Sequence, residues 1–173
     1  MDAADIGWSV LKAPLMPGSL RQTSDKIYTA EFSDKAGEND VPVKAEVSEW
    51  EDKFGEGKRI NAWMGSLKDS ANMVTAMRHG NAEEAPDFFV SRAKIEEELQ
   101  RQGRATALYD MIAAIIEREE RGRARLTPGY RSDDAVALWD AVSPDGQWRV
   151  RDKLWADHPW WGTDDDDGGD FFD

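Results

Sequence analysis

The stretch "EELQRQGRATALYDMIAAIIE", Glu97 to Glu117, constrains the fold more than any other in this chain. Its second half places Leu108, Met111, Ile112, Ile115 and Ile116 at helical spacing, a stripe that has to be buried. Its first half, "QRQGRA", is polar and is interrupted by Gly103. The run "DFFVSRAKI" before it is apolar enough for a largely buried strand. The order is therefore strand, connector, glycine-containing loop and long helix, with the helix expected from Ala105 to near Gly122.

Two readings of "QRQGRA" are open from these residues alone. One is a solvated break in which Gly103 caps one helix before the next begins. The other is an anion site. A helix N-terminus offers unpaired N–H groups and the positive end of the helix dipole. Gly103 and Ala105 would let a ligand approach the backbone, and Arg101 and Arg104 add positive charge, a combination competent to hold a pyrophosphate.

The rest of the chain supplies a mixed α/β pattern. "KIYTAEFSDK" alternates Tyr28, Ala30 and Phe32 against Ile27, Thr29 and Glu31. "VPVKAEVSEW" keeps Val41, Val43, Ala45 and Val47 in step, so the two predict a β-hairpin. "EDKFGEGKR" is expected as a polar loop, and "INAWMGSLKDSANMVTAMRHG" as a helix ended by Gly80. "ARL" is expected as a short strand, Pro128 and Gly129 as a turn, and "DDAVALWDAV" as a helix capped by Ser132. Residues 1–22 read as an N-terminal arm with Trp8, Val10 and Leu11 on the core, residues 23–162 as the domain and residues 163–173 as an acidic, disordered tail.

Composition narrows the chemistry. Without cysteine there is no disulfide, thiolate metal site or Cys nucleophile. His79 and His158 are the only histidines, which argues against a His-rich metal centre. No apolar run approaches membrane-spanning length and the N-terminus has no charged-then-apolar pattern, so a cytoplasmic protein without membrane contact is expected. The net charge is −13, and "DDDDGGDFFD" carries six of those charges, which disfavours direct binding of nucleic acid. The basic run "REERGRARLTPGYR" is either a solvated helix end or a local anion site.

A family resemblance enters on two motifs. "QRQGRA" resembles the Gln/Arg-x-x-Gly-x-Gly/Ala pattern of the GNAT family of N-acetyltransferases. "SDDAVALW", Ser132 to Trp139, is similar to the family's Asn-x-x-Ala-x-x-Leu-Tyr, with Ser132 for Asn and Trp139 for Tyr. Together, "RQGRATALYDMIAAI" and "LTPGYRSDDAVALW" look like short acetyltransferase-like proteins of phage genomes. The resemblance covers roughly Phe88 to Val142. It implies an acyl-CoA N-acyltransferase-like fold, a mostly antiparallel sheet flanked by helices. It further implies acetyl-CoA as cofactor and direct acetyl transfer to an amine acceptor that the residues do not identify. The strand ending near Ile95 would splay from its neighbour and pair with the pantetheine arm, and a main-chain N–H near Ile95 would stabilise the oxyanion. Gln100, Arg101, Gln102, Gly103, Arg104, Ala105 and Thr106 would hold the pyrophosphate, with Ser132 nearby.

The departures are specific. Trp139 lacks the phenol that relatives use to protonate the leaving thiolate, and as a core aromatic it has a simpler role. Tyr109 reads as core, which leaves Tyr130 as the candidate acid. Glu31, Glu46, Glu96 and Glu98 are carboxylates without an assigned role, so no general base is named. The acceptor pocket is expected from the hairpin and the loops around "EDKFGEGKR". Relatives end with two more strands, and here "DGQWRVRDKLW" is the remnant, so the sheet is either truncated or completed by the partner of a homodimer.

Two other classes remain beside the enzyme. One is a protein of the same fold that binds partners without catalysis. The other rests on "WADHPWWGTDDDDGGDFFD", which resembles the acidic, aromatic tails by which single-stranded-DNA-binding proteins dock protein partners. Asp173 after the Phe pair departs from that pattern.

Overall fold

The computed structural model describes residues 15–33, 40–64, 72–81, 83, 86–94, 104–129, 136, 139–140, 145–148 and 154–156. They form an α/β architecture, a seven-stranded, mostly antiparallel sheet carrying one described helix. The strands are β1 (Arg21–Ser24), β2 (Ile27–Ser33), β3 (Asp40–Asp52), β4 (Gly55–Met64), β5 (Met73–His79), β6 (Phe88–Lys94) and β7 (Leu126–Thr127), and the helix is α1 (Arg104–Glu119). Spatial order follows chain order. All neighbours are antiparallel except β6 and β7, which run parallel because α1 connects them.

Alternation explains the sheet's core face. Tyr28, Ala30 and Phe32 from β2, Val43, Ala45 and Val47 from β3, Ile60, Ala62 and Met64 from β4, Val74 and Ala76 from β5, and Phe88 and Val90 from β6 are all buried. Helix α1 packs on this layer. Every residue from Thr106 to Ile116 is buried, so the helix is enclosed on all sides. It ends as expected. The Gly122 N–H donates to the Glu117 carbonyl at 2.8 Å, and Gly122 takes φ 76°, a left-handed conformation that glycine adopts without strain.

Residues 55–79 correct the reading of a loop followed by a helix. They contain two antiparallel strands, β4 and β5, paired from Gly57↔His79 to Trp63↔Met73. Trp63, Met73 and Thr75 are buried on the face opposite Ala62 and Val74, so both faces are covered at this end of the sheet. Two-sided burial erases the alternation that marks a strand and imitates helical spacing. The expected loop "EDKFGEGKR" is the end of the β3–β4 hairpin. Only Lys53 and Phe54 form its turn, with the Phe54 N–H donating to Asp52 Oδ1 at 2.8 Å and Gly55 at φ 133°.

Segments beyond the strands close both edges. Leu15 bridges Phe32, Trp148 bridges Leu126 and Trp155 bridges Leu20. Thus part of "DGQWRVRDKLW" does pair beside β7, through the Trp148 N–H donating to the Leu126 carbonyl at 2.9 Å. Trp139 and Trp148 pack with Tyr109 of α1 at centroid distances of 5.5 and 4.8 Å, and Trp148 donates its indole N–H to Asp110 Oδ1 at 2.7 Å. The arm boundary near residue 22 falls inside β1. Trp8, Val10, Leu11 and the tail from residue 163 lie outside the described residues.

Candidate functional site

The parallel pair β6–β7 is short for a physical reason. It consists of Phe88↔Leu126 and Phe89↔Thr127, after which Pro128 has no N–H to continue the ladder. Thr127 Oγ1 donates to the Phe88 carbonyl at 2.9 Å and secures this end. β6 runs on to Lys94 past the last β7 partner, so the two strands part after Phe89 and leave an open edge.

Within that open stretch β6 carries an irregularity. Val90 opposes Ala76 and Arg92 opposes Thr75, so Ser91 is the extra residue of a bulge. Its hydroxyl donates to the Thr75 carbonyl at 3.3 Å. Past the bulge, Ala93 stands opposite the wholly buried Val74, yet Ser91, Arg92, Ala93 and Lys94 are all exposed. Beyond the bulge, then, exposed strand backbone lines a crevice beside the core.

The start of α1 is at the same end of the sheet. Lys94 pairs with Met73, Met73 pairs with Trp63, and the next residue, Met64, lies 3.5 Å through Sδ from Arg104 Nη1. Two strand spacings, about 10 Å, separate β6 from β4. The Arg104 guanidinium lies over the Phe32 ring, 5.4 Å from its centroid. No acidic residue occupies the first turn of α1. Ala105 packs against the core. Thr106 is 1% exposed, and its hydroxyl has no hydrogen-bond partner. A buried hydroxyl left unpaired is costly, which makes Thr106 the polar group here most in need of a partner.

Of the site residues expected from sequence, Arg104, Ala105 and Thr106 therefore sit together at the helix start. Ile95, Gln100, Arg101, Gln102, Gly103, Tyr130 and Ser132 lie outside the described residues, as do Glu96 and Glu98. Trp139 is 1% and Tyr109 2% exposed, and both belong to the core. Burial raises the Tyr109 phenol above its ordinary pKa. The expected acceptor pocket around "EDKFGEGKR" is corrected: its turn lies at the opposite end of the sheet from the start of α1. β4 places Met64 beside Arg104 and Lys58 beside the C-terminus of the helix.

That opposite end holds an ionic cluster with no counterpart in the sequence reading. Lys58 Nζ lies 2.8 Å from Glu119 and 3.0 Å from Glu120; Arg78 also pairs with Glu120, and the Tyr28 hydroxyl donates to Glu119. Burial pulls the Lys58 pKa down, but its bonds to Glu119 and Glu120 outweigh this and the net shift is upward. Burial raises Glu119, while Lys58 and Tyr28 hold it net below the ordinary carboxylate range. Burial first, then the Glu119 carboxylate, pushes the Tyr28 phenol far up. The cluster keeps its charges through neutrality and offers no proton shuttle there. The basic run after it is a solvated helix end, with Arg121, Arg123 and Arg125 exposed and Arg118 stacked on Trp155 at 3.4 Å.

Among the described residues, no three His, Cys, Asp or Glu side chains gather as a metal site, and no helix is long and apolar enough to cross a membrane. No family model, curated protein or solved structure matches the chain.

Proposed function

We propose that the crevice between β6 and β7 binds acetyl-CoA, and that the protein is an N-acetyltransferase of GNAT type with an acyl-CoA N-acyltransferase-like fold. The observation that carries this reading is the parting of β6 from its parallel neighbour after two residue pairs. It leaves bulged, exposed backbone at the sheet end where α1 begins. Peptide-like groups of a pantetheine arm would pair with the open edge of Ser91 to Lys94. The pyrophosphate would take the N-terminus of α1, where Arg104 supplies charge and Thr106 an unpaired hydroxyl beside the expected Gln100–Gly103 loop. The acceptor amine attacks the thioester carbonyl, the C–N bond forms, the C–S bond breaks, and the proton lost from nitrogen ends on the CoA thiol. The protein's contribution is positioning and main-chain stabilisation of the oxyanion.

Burial of both Tyr109 and Trp139 favours one second reading, a protein that binds acetyl-CoA or a partner in this crevice without turning over. Free-thiol release from acetyl-CoA in the presence of a panel of small amines and amine-bearing peptides tests the enzyme reading. Amine-dependent thiol release supports catalysis. Tight binding without release supports the second reading, and absence of binding removes both.

A further inference from the structure

The crevice has an open end at Lys94, and its closed end is defined by a contact. Gly129 follows Pro128 directly after β7. A Cβ built on Gly129 would stand 2.0 Å from the Val90 carbonyl oxygen, 3.0 Å from its carbonyl carbon and 3.3 Å from the Phe89 ring. The obstacle is main chain of β6, so a side chain cannot be accommodated by turning a neighbouring rotamer. β6 and the strand-following segment can come this close only because residue 129 has no Cβ. The contact also coincides with the change in β6, since Val90 is buried and the bulge and exposed stretch begin at the next residue.

We propose that Gly129 is a positioning residue that sets the closed end of the crevice at Val90, so that an extended acyl-carrier arm pairs with Ser91–Lys94 and goes no deeper. The proposal rests on the acetyl-CoA reading given above. It adds what limits the depth of the arm, and hence where its thioester stops relative to the bulge. A methyl group at residue 129 has to move β6 and β7 apart by about 1 Å, a displacement large enough to cost ~100-fold when a reacting group is misplaced.

The test uses the full-length wild type and Gly129→Ala, each titrated with acetyl-CoA and with adenosine 3′,5′-bisphosphate, which lacks the pantetheine arm. The expected result is a loss of at least tenfold in acetyl-CoA affinity in the variant, with affinity for the bisphosphate unchanged. Equal acetyl-CoA affinity in the two proteins overturns the role of Gly129 and leaves the acetyl-CoA reading standing. Parallel loss of both ligands assigns Gly129 to general stability and also overturns it. A folded wild type that binds neither ligand removes the acetyl-CoA reading and this inference with it. Should Gly129→Ala not fold, amide exchange on the wild type decides. Slowing by acetyl-CoA confined to Ser91–Lys94 on β6 supports the stop at Val90, and slowing that spreads to Leu126 and Thr127 of β7 contradicts it.

Discussion

Lys58 Nζ sits 2.8 Å from Glu119 at the C-terminal end of α1, with only 6% of the lysine side chain exposed. The helix dipole disfavours carboxylates at that end. Lys58 from β4 and Arg78 from β5 supply the compensating charge and tie the helix to the centre of the sheet. Lys58→Met should therefore destabilise the fold by about 3–5 kcal/mol, because it leaves buried carboxylates short of a partner. Urea unfolding checks this: the midpoint should fall while the slope stays that of the wild type.

The same cluster sets the pH range of stability. Glu119 is held below its unfolded pKa, so its contribution is present above about pH 4.3 and is lost as pH falls through the lower folded value. Lys58 is held above its unfolded pKa, so its contribution is complete below about pH 10.4 and is lost as pH rises through the higher folded value. Thermal melts from pH 3 to pH 11 should show a plateau with a fall on each side. In Lys58→Met the alkaline fall should be reduced.

Trp148 links the segment beside β7 to the enclosed helix. Its indole N–H donates to the buried carboxylate of Asp110 at 2.7 Å, within a three-ring cluster with Tyr109 and Trp139. Trp148→Phe keeps an aromatic ring and removes the donor. It should cost about 1.5–3 kcal/mol, the range for a hydrogen bond to a charged group. A loss under 0.5 kcal/mol by chemical denaturation would mean that the ring alone carries the contact.

Thr106 separates stability from binding. Its hydroxyl is buried and has no hydrogen-bond partner, so Thr106→Val should leave the unfolding free energy unchanged or raise it. If the hydroxyl serves a bound pyrophosphate, the same variant should bind acetyl-CoA several-fold more weakly. Lower stability together with unchanged affinity would contradict both halves.

Much of this fold is legible where one face is buried and the other wet. Tyr28, Ala30 and Phe32, then Val43, Ala45 and Val47, mark β2 and β3 by simple alternation. Leu108 to Ile116 mark α1, and "DFFVSRAKI" marks β6. β4 and β5 are hidden because Trp63, Met73 and Thr75 are buried on the second face, which removes the period-two signal. The crevice is legible only in part. Gly103 to Thr106 point to the helix start, but the bulge at Ser91 shows in the sequence only as a polar break in an apolar run. Pro128–Gly129 reads as a turn, and nothing local says that Gly129 presses on β6. The ionic cluster joins Tyr28, Lys58, Arg78 and Glu119, residues spread across 91 positions, so only the fold reveals it.

The most direct measurement of the central claim is calorimetric titration of the folded protein with acetyl-CoA, with Gly103→Glu as the paired control. That substitution puts a carboxylate in the loop expected to hold the pyrophosphate and lies away from the described core. The account predicts micromolar binding to the wild type and none to the variant, with both proteins melting alike. Equal binding to both would contradict the pyrophosphate assignment, and no binding to the wild type would contradict the acetyl-CoA site itself.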